Sequence, residues 1–547
     1  MPDKRRALFV LPLIVLVFAI LGGFYGPQIT AVDAASSADA ASASDGTEPS
    51  LAGEMQSFTH IVSLVEQNEA ERPSPEKIYY TGAIPGMLRE LDPHSNFFDP
   101  KDFQMLEDDQ KGSYFGVGMM VSTRNGKTVV IAPFPGSPAY RVGLRPGDII
   151  VSVDDKPTDG LNTTEVADLL KGPRGTQVKV VISREGAADY LSFTIIRDEI
   201  TRKSVPEAFY LKDGIAYIKI LSFTETTAHE LDDALSQLNE HDMRGLVLDL
   251  RDNPGGLLNA GVAVAGDFLR KGQVVVSSHG RNSPEKVFTA RSGNHGFDYP
   301  VVVLVDRMSA SAAEIVSGAL QDHDRAWILG EKTFGKGLVQ TVFPLSYNTA
   351  LALTTAHFYT PSGRLIQRDY SNESFYDYYF HRDDSVRNPN DVKMTDGGRT
   401  VYGGGGITPD QKYESPQMDH LEIVLNRDGL FNFTRVYFAK HTSSLPKGWL
   451  PGDAVIGELH KYLVDKNVSF TEAEFTKDHD WIKRYLTKEM YIYAFNVDES
   501  DREFAQTDPE VELAVDAMPK AMTLLQGAQR AVGRRMEPAK RAAVAVH

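Results

Sequence analysis

The stretch VVVLVDRMSASAAEIVSGALQDH, residues 301–323, decides the fold class. Its first five residues are apolar and mostly β-branched, which is typical of a buried strand, and apolar residues then recur at helical spacing from Ala312 onward. A strand that passes almost directly into a helix is the repeating unit of an α/β core. Ser311 stands at the junction, at the carboxyl end of the predicted strand, where open α/β sheets usually bind their ligands.

The same alternation extends to both sides of this stretch, because strand-like and helix-like runs alternate from Gly214 onward. They read IAYIKI (215–220), TAHELDDALSQLNEH (227–241), GLVLDLR (245–251), LNAGVAVAGDFL (258–269), AWILGE (326–331) and ALALTTAHFY (350–359). The sequence therefore predicts a mixed α/β core over residues 189–410.

The regions on either side of the core have a different texture. Residues 113–188 consist of short β-rich runs separated by glycine turns, which predicts an inserted β-rich domain. Helical spacing of apolar residues predicts a helical element at 51–112 and a helical C-terminal domain at 411–547. The expected fold class is thus α/β in a multidomain α+β chain. The C-terminal domain is predicted to serve dimerisation or adaptor docking, or to act as a lid.

The first 50 residues predict export. A basic cluster at residues 4–6 precedes an uncharged apolar run over residues 7–24. The length of this run lies between that of a cleaved signal and that of a membrane span, so residues 1–34 are predicted to be a signal peptide or a membrane anchor. The Ala/Ser-rich residues 35–50 predict a flexible linker. We expect an exported protein in the periplasm or another extracytoplasmic location, free or anchored to the inner membrane.

Composition excludes several functions. The 547 residues carry a formal net charge of -17, which disfavours nucleic acid as a partner. The chain has no cysteine, and therefore no disulfide, thiolate nucleophile or cysteine metal site. Its 14 histidines are scattered without zinc-type spacing. We predict no metal and no cofactor.

A lysine supplies the second half of a candidate catalytic pair. In GEKTFGKGLVQ, residues 330–340, Lys336 lies between two glycines and is free to turn inward. A P-loop is the alternative, since G-x-x-x-x-G-K is present. However, Gly337 occupies the position of the hydroxyl that binds magnesium, and the following residues are strand-like rather than helical. The pattern does not predict a nucleotide site.

Elementary chemistry links this lysine to Ser311. A serine hydroxyl is a poor nucleophile until a base takes its proton, and the chain contains no G-x-S-x-G motif. A lysine serves as that base when burial lowers its pKa, and Phe334 and the flanking glycines offer an apolar setting. Gln340, four residues on along a strand-like run, is predicted to lie on the same face and hold the amine without adding charge. The alternative for Ser311 is plain capping of the helix.

Two further candidates have everyday alternatives. The Pro-Gly-Gly of LRDNPGGL, residues 250–257, allows a sharp turn that aims backbone N–H groups into the crevice, but it is also compatible with an ordinary strand-to-helix turn. Asp322, near the end of the helix that follows Ser311, is either a helper carboxylate or a group that supports the fold.

Within residues 113–188, GSPAYRVGLRPGDIIVSVDD (136–155) and LLKGPRGTQVKVVI (169–182) resemble a circularly permuted, bacterial-type PDZ domain. The glycines at 116 and 118 flank a turn whose N–H groups are predicted to receive a terminal carboxylate, while the adjoining strand pairs with an extended peptide. The predicted peptide contacts are Tyr114, Phe115, Gly116, Val117 and Gly118.

Taken together, six segments in order resemble the C-terminal processing peptidases, tail-specific serine proteases with a Ser-Lys dyad, over residues 80–410. They are the PDZ segment, YIKILSF (217–223), LVLDLRDNPGGLL (246–258), SASAAEI (309–315), GEKTFGKGLVQ (330–340) and LTTAHFYTPSGRLIQ (353–367). The resemblance implies a serine endopeptidase that recognises substrate C-termini through its PDZ domain.

The resemblance also implies roles for individual residues. Ser311 is the nucleophile, Lys336 the general base and Gln340 the residue that orients the lysine. The implied oxyanion hole is the N–H of Gly255 or Gly256 together with that of Ala312, and the helper aspartate is Asp322.

The expected partners are proteins or peptides with unstructured C-termini, and a homo-oligomer or an adaptor protein is a further expectation. The alternative function is a binding or scaffold protein of the same fold that does not hydrolyse its ligand. Retention of serine, lysine and glutamine together favours the enzyme.

Overall fold

The structure is a computed structural model that describes residues 51–71, 74, 77–371, 375–380, 391–441 and 444–530. The chain divides into two compact units between Ile78 and Tyr79. The predicted export segment 1–34 and linker 35–50 lie outside the described residues. In the first unit, helix α1 (Leu51–Asn68) is the element that the structure describes. The second unit contains every site residue predicted from the sequence.

Helical turns and a short strand follow α1 along the chain. They are a π-helical turn (Lys77–Ala83), α2 (Ile84–Arg89), β1 (Asn96–Phe98) and α3 (Pro100–Lys111). Helix α3 begins at Asp99, whose side chain accepts hydrogen bonds from the N–H groups of Lys101 and Asp102, and it ends at Gly112 in the left-handed region. Strand β1 is short, but it pairs with a later strand over residues 350–352 and so holds the residues just before it, 92–95, beside the core.

The predicted β-rich domain is an antiparallel sheet with two helices. Its elements are β2 (Ser113–Gly116), β3 (Met119–Arg124), β4 (Lys127–Pro133), α4 (Pro138–Arg141), β5 (Ile149–Val153), β6 (Lys156–Pro157), α5 (Thr163–Leu170), β7 (Gln177–Ser183), β8 (Leu191–Ile196) and β9 (Asp198–Thr201). The strand order is β3-β4-β5-β7-β8, with β6 paired to β5 and a separate ribbon of β2 and β9. Strand β8 lies beyond residue 188, yet it pairs with β7 along its length.

The α/β core follows. Its elements are β10 (Glu207–Lys212), β11 (Ile215–Lys219), α6 (Thr227–Gln237), a 3-10 turn (Glu240–Asp242), β12 (Gly245–Asp249), α7 (Leu258–Phe268), β13 (Val274–Gly280), β14 (Ser283–Thr289), β15 (Val301–Val305), α8 (Ala312–Asp322), β16 (Ala326–Gly330), β17 (Leu338–Pro344), a 3-10 turn (Ser346–Asn348), β18 (Ala350–Tyr359), α9 (Phe375–Phe380), β19 (Val392–Met394), β20 (Thr400–Tyr402) and β21 (Gln411–Lys412).

The central sheet has the order β10-β11-β12-β15-β16-β21 and is parallel from β11 onward. Every residue of β12 and β15 is buried, as expected for parallel strands covered on both faces. The carboxyl ends of β12, β15 and β16 therefore lie side by side. A second sheet contains β1, β18, β13 and β14, with β17 paired to β18. The prediction of an α/β fold within a multidomain α+β chain is confirmed by these elements and their sheet order.

The C-terminal region is helical, as predicted. It contains α10 (His420–Val424), a π-helical turn (Leu425–Gly429), α11 (Leu430–Lys440), α12 (Asp453–Asp465), α13 (Glu472–Lys477), α14 (His479–Ala494), α15 (Val497–Gln506), α16 (Pro509–Asp516) and a last helix, α17, at 518–530.

The last helices cover one face of the central sheet and do not form a separate domain. Val511, Ala514 and Met518 pack in one buried cluster with Val247 and Val302 from strands β12 and β15. The opposite face of the sheet packs against α6, α7 and α8. Because strands that are apolar on both sides must be covered on both sides, the helices at the C-terminus complete the core. This continuity across residue 410 was not expected from the sequence.

Candidate active site

Ser311 lies between β15 and α8, as the sequence predicts. Its backbone has φ 53° and ψ −111°, outside the conformations that non-glycine residues usually adopt. Such a conformation persists only where surrounding contacts over-determine it, and it is enriched at functional sites. The backbone oxygen of Ser311 accepts hydrogen bonds from the N–H groups of Glu314 and Ile315, so the helix starts immediately after the serine.

Lys336 lies in the loop that joins β16 to β17. Burial lowers the pKa of its amine below the usual range, whereas the carboxylates of Glu314 and Asp92 act in the opposite direction, and burial dominates. Phe334, two residues earlier, packs edge-on against Tyr378 of α9 with ring centroids 5.5 Å apart. The lysine therefore has the partly desolvated setting predicted from the sequence.

Glu314 ties these two segments together. Its carboxylate is fully buried. One oxygen accepts hydrogen bonds from the N–H groups of Ser311 at 2.9 Å and Lys336 at 2.8 Å. The other accepts from Thr333 Oγ1 at 2.5 Å and the Gly335 N–H at 2.7 Å. Burial raises the pKa of the Glu314 carboxyl above its usual value, although these hydrogen bonds offset part of the rise.

The bridge sets a distance limit between the two candidate catalytic segments. Since the N–H groups of Ser311 and Lys336 donate to the same oxygen, their nitrogens lie no more than about 5.7 Å apart, the sum of the two distances. Sequence reasoning did not assign Glu314 a role. Its signal was the spacing of three residues after the serine, which also predicts a capping box.

Gln340 lies in β17 and its amide nitrogen donates to Thr354 Oγ1 at 2.7 Å. Its carbonyl oxygen is buried and has no hydrogen-bond partner within the described part of the chain. Contrary to the expectation from the sequence, strand alternation does not place Lys336 and Gln340 on the same face. The lysine precedes the strand, and the pairing of β17 with β18 has an irregularity between Val339 and Gln340.

The turn after β12 packs against the serine. Gly255 has φ 94°, and a Cβ atom at this position would lie 2.7 Å from Ser311 Cβ and 2.9 Å from the Ala312 nitrogen. The Gly255 N–H donates to Asn253 Oδ1 at 2.8 Å. By contrast, the N–H groups of Gly256 and Ala312 make no hydrogen bond to any described residue. Of the two glycines proposed for the oxyanion hole, Gly256 is therefore the one whose N–H has no partner in the described ranges.

Several bonds lock this turn to the serine segment. Asn253 donates through Nδ2 to the Ile220 oxygen at 2.8 Å, and its own backbone oxygen accepts from the Ala310 N–H at 2.9 Å. Ser309 Oγ donates to the Leu250 oxygen at 2.8 Å. The two loops therefore behave as one rigid support for the serine.

Asp322 is not brought to the serine. It lies at the far end of α8, about 16 Å along the helix axis at 1.5 Å per residue. Its carboxylate is buried, pairs with the buried Arg364 at 2.8 Å and accepts from the Ser362 N–H at 3.0 Å. This ion pair anchors the chain that follows β18, so the position of Asp322 fits the fold-supporting alternative.

His94 lies near the lysine and was missed by the sequence analysis. Burial lowers the pKa of His94 to about 4, and the positive charge of Lys336 contributes to the shift. Its ring nitrogens lie 2.9 Å from the hydroxyl of Tyr378 and 3.2 Å from that of Tyr379. The imidazole is thus neutral at physiological pH and adds to the uncharged surroundings of the lysine. The pairing of β1 with β18 places this segment there, and no local pattern in the sequence indicates it.

The predicted peptide-binding residues divide between a strand and a turn. Tyr114, Phe115 and Gly116 belong to β2, which pairs with β9, whereas Val117 and Gly118 form the turn that leads into β3. In the described part of the chain, the N–H groups of Val117 and Gly118 are without a hydrogen-bond partner. Strand β3 is an edge strand of its sheet. A free strand edge that begins at unoccupied N–H groups is the arrangement that a peptide C-terminus requires.

No group of three or more potential metal ligands occurs among the residues that the structure describes. Within the same ranges, no helix combines the length and the apolar character that crossing a bilayer demands.

Comparison with known proteins identifies the family of the two domains. The family model "Peptidase family S41" matches residues 214–371, and the model "PDZ domain" matches residues 129–184. The first interval contains the serine, the lysine and the glycine turn. The second contains β5, α5 and β7 of the β-rich domain. These matches define a serine-type peptidase that carries a PDZ domain.

Relatives extend the match beyond these segments. The carboxy-terminal-processing protease of Bartonella bacilliformis is 37% identical over 357 residues, which cover 64% of this chain and 80% of that protein. The carboxyl-terminal-processing protease of Synechocystis is 37% identical over 306 residues, covering 54% and 71%. Among solved structures, the photosystem II D1 C-terminal processing protease is 28% identical with a TM-score of 0.35, covering 66% of this chain and 88% of that chain. The chain belongs to peptidase family S41, in the group of carboxy-terminal processing proteases.

Proposed function

We propose that this protein hydrolyses peptide bonds with a dyad of Ser311 and Lys336. The observation that carries the proposal is the Glu314 bridge, which holds the backbone of both residues on one buried oxygen. In this mechanism the neutral lysine amine takes the proton from the serine hydroxyl while the serine oxygen attacks the carbonyl carbon. The resulting ammonium then returns the proton to the leaving amine, and water attacks the acyl-enzyme by the same route.

The surroundings support a neutral amine in the resting enzyme. Burial lowers the pKa of Lys336 and outweighs the opposing effect of the Glu314 and Asp92 carboxylates. The neutral His94 lies near the lysine as well. Gln340 is proposed to orient the amine. Its buried carbonyl oxygen lacks a partner among the described residues, and an unsatisfied buried acceptor costs about 1–3 kcal/mol, so a lysine donor would relieve that cost.

Stabilisation of the oxyanion is assigned to Gly256 and Ala312. Neither N–H group bonds to any residue in the described part of the chain, whereas the N–H of Gly255 is already bonded to Asn253. Two donors fixed before the reaction begins stabilise the tetrahedral intermediate without rearrangement, and each contributes about 3–4 kcal/mol in well-studied hydrolases. The role proposed for Gly255 is to allow the close approach of this turn to the serine.

The PDZ domain is proposed to select substrates by their C-termini. The turn at Val117 and Gly118 would receive the terminal carboxylate, and the free edge of β3 would pair with the extended peptide. Substrates are therefore polypeptides with unstructured C-terminal segments.

Export is a further part of the proposal and rests on the sequence. The basic cluster at residues 4–6 and the apolar run at 7–24 support export as a signal or as an anchor of the inner membrane. Assembly into a homo-oligomer, or with an adaptor protein, is likewise proposed from the sequence and tested by the mass of the purified protein in solution.

One experiment tests the catalytic assignment. The soluble protein is incubated with an unstructured polypeptide that ends in apolar residues, beside Ser311→Ala, Lys336→Ala and the exposed-site control Lys286→Ala. Loss of cleavage in the first two variants, with normal cleavage by the control, supports the dyad. Unchanged cleavage by Ser311→Ala or Lys336→Ala would refute it. In parallel, the same polypeptide with an amidated C-terminus should bind Ser311→Ala more weakly than the free acid does.

A further inference from the structure

Arg251 links the C-terminal helices to the turn at residues 253–256, which carries the proposed oxyanion donor of Gly256 and is called the oxyanion turn below. It lies two residues before Asn253, in the loop that leads from β12 to the proposed oxyanion donors. Its Nη1 donates to Glu510 Oε2 at 2.7 Å and to Asp508 Oδ2 at 3.0 Å. Its Nη2 donates to Asp249 Oδ2 at 2.6 Å. Asp508 and Glu510 belong to the start of α16, more than 250 residues away in sequence.

The two sides of this contact differ in what holds them. Asp249 is the last residue of β12, two positions before Arg251, and it also accepts from the Arg251 backbone N–H at 2.9 Å and from the Tyr217 hydroxyl at 2.8 Å. This half fixes the arginine locally. Asp508 and Glu510 accept their bonds from Arg251 and belong to the helical layer that covers the sheet. These bonds therefore fix the position of the Arg251 loop relative to that layer.

Glu510 also touches the strand end that leads to the catalytic lysine. A Cβ atom at Gly330, the last residue of β16, would lie 3.0 Å from Glu510 Oε1. The loop that carries Lys336 starts at this glycine. One carboxylate thus contacts the oxyanion turn through Arg251 with one oxygen and lies against the origin of the lysine loop with the other.

Burial makes this arrangement well defined. The side chain of Glu510 is 5% exposed and that of Arg251 15% exposed. Charged hydrogen bonds in such surroundings have strict geometric requirements. A buried ion pair adds little net stability, but it fixes the relative position of the segments that carry it.

We propose that Glu510 and Asp508 are positioning residues for peptide-bond hydrolysis, acting through Arg251 on the oxyanion turn. This inference rests on the proposed function, because it takes Gly256 as an oxyanion donor. It assigns the C-terminal helices a direct part in the geometry of the active site. A displacement of a catalytic group by 1 Å costs up to about a hundredfold in rate, so loss of this anchor should lower kcat.

The test compares Glu510→Gln and Asp508→Asn with the wild type. Glu512→Gln is the matched control, because Glu512 lies in the same first turn of α16 but is exposed. Each variant is measured for kcat and KM on an unstructured polypeptide, for thermal stability, and for binding of a C-terminal peptide to the PDZ domain. Ser311→Ala is included in every series.

The expected result is a fall in kcat of about tenfold or more for Glu510→Gln, a smaller fall for Asp508→Asn, and KM and peptide binding within about twofold of the wild type. Both variants should remain folded, since Arg251 keeps Asp249 and one further carboxylate. Should Glu510→Gln not fold, Asp508→Asn decides. The inference is overturned if the kcat of Glu510→Gln stays within about twofold of the wild type. It is also overturned if that kcat falls only in proportion to the folded fraction of the variant. Cleavage by Ser311→Ala would instead overturn the proposed function.

Discussion

Ser311 and Lys336 donate their backbone N–H groups to the same oxygen atom of Glu314, at 2.9 and 2.8 Å. The Ser311 segment follows β15 and the Lys336 segment follows β16, so a single buried carboxylate joins two loops at the same sheet edge. Because it accepts four hydrogen bonds, this carboxylate fixes both backbones at once. The geometry of the proposed dyad therefore depends on a residue that does not take part in the proposed proton transfer.

Replacement of Glu314 by glutamine tests this dependence. A carboxylate has only acceptors, whereas an amide presents an NH2 group to N–H donors on one side. Whichever way the amide turns, at least one backbone N–H loses its acceptor and faces an NH2 group, at a cost of about 1–3 kcal/mol for each lost bond. We expect Glu314→Gln to lower kcat by at least about a hundredfold. The exposed Glu285→Gln serves as the control, and an unchanged kcat in Glu314→Gln would show that the bridge is dispensable.

Gly255 permits a second test, of the close contact between the oxyanion turn and the serine. A Cβ at Gly255 would lie 2.7 Å from both Ser311 Cβ and the Ala310 oxygen, neither of which can move freely. Gly272 has a similar φ of 87°, but a Cβ there would have nothing within 4 Å. Gly272→Ala therefore measures backbone strain alone, about 1 kcal/mol of stability.

We expect Gly255→Ala to abolish most cleavage, by about a hundredfold or more, while Gly272→Ala retains nearly full activity. Initial rates on one substrate and thermal melting of both variants provide the comparison. Equal loss of activity in the two variants would indicate that strain, and not the contact with the serine, explains the effect.

Lys336 predicts the direction of the pH dependence. Its pKa is lowered by burial, and the uncharged amine is the proposed base, so kcat/KM should rise with pH and level off at a pH below the usual lysine value of about 10.4. Gln340→Glu would place a carboxylate near the amine and raise its pKa. The rising limb should move to higher pH in this variant. A limb at the same pH in both proteins would contradict the proposed place of Gln340.

The sequence predicts the local parts of this architecture well. The strand before Ser311, the helix after it and the glycine turn at Gly255 follow from patterns of a few residues, because burial and turn geometry act locally. The role proposed for Glu510 is beyond such reasoning, since its partner Arg251 is 259 residues away. The alternation argument for Gln340 failed for a related reason: the irregularity at Val339 is set by pairing with β18, which a single strand does not encode. His94 lies near Lys336 because β1 pairs with β18, a contact between segments far apart in sequence.

Glu207 gives a prediction for stability. It lies on β10 opposite Lys219 of β11, is 5% exposed, and its Oε2 is buried without a hydrogen-bond partner in the described ranges. Burial raises the pKa of Glu207 to about 8. Between the unfolded value near 4.5 and about 8, the folded state binds more protons than the unfolded state, so stability falls as pH rises through this window.

Glu207→Gln removes this titration while keeping the shape of the side chain. We expect the variant and the wild type to have similar melting temperatures near pH 5, where the carboxyl is protonated in the folded protein. At pH 9 the variant should be more stable, by an amount on the order of a few kcal/mol, because each unit of pKa shift corresponds to about 1.4 kcal/mol. Melting curves from pH 5 to 9, recorded in the Ser311→Ala background to prevent self-digestion, provide the measurement. A constant difference across this range would contradict the prediction, because it would mean that Glu207 does not titrate between pH 5 and 9.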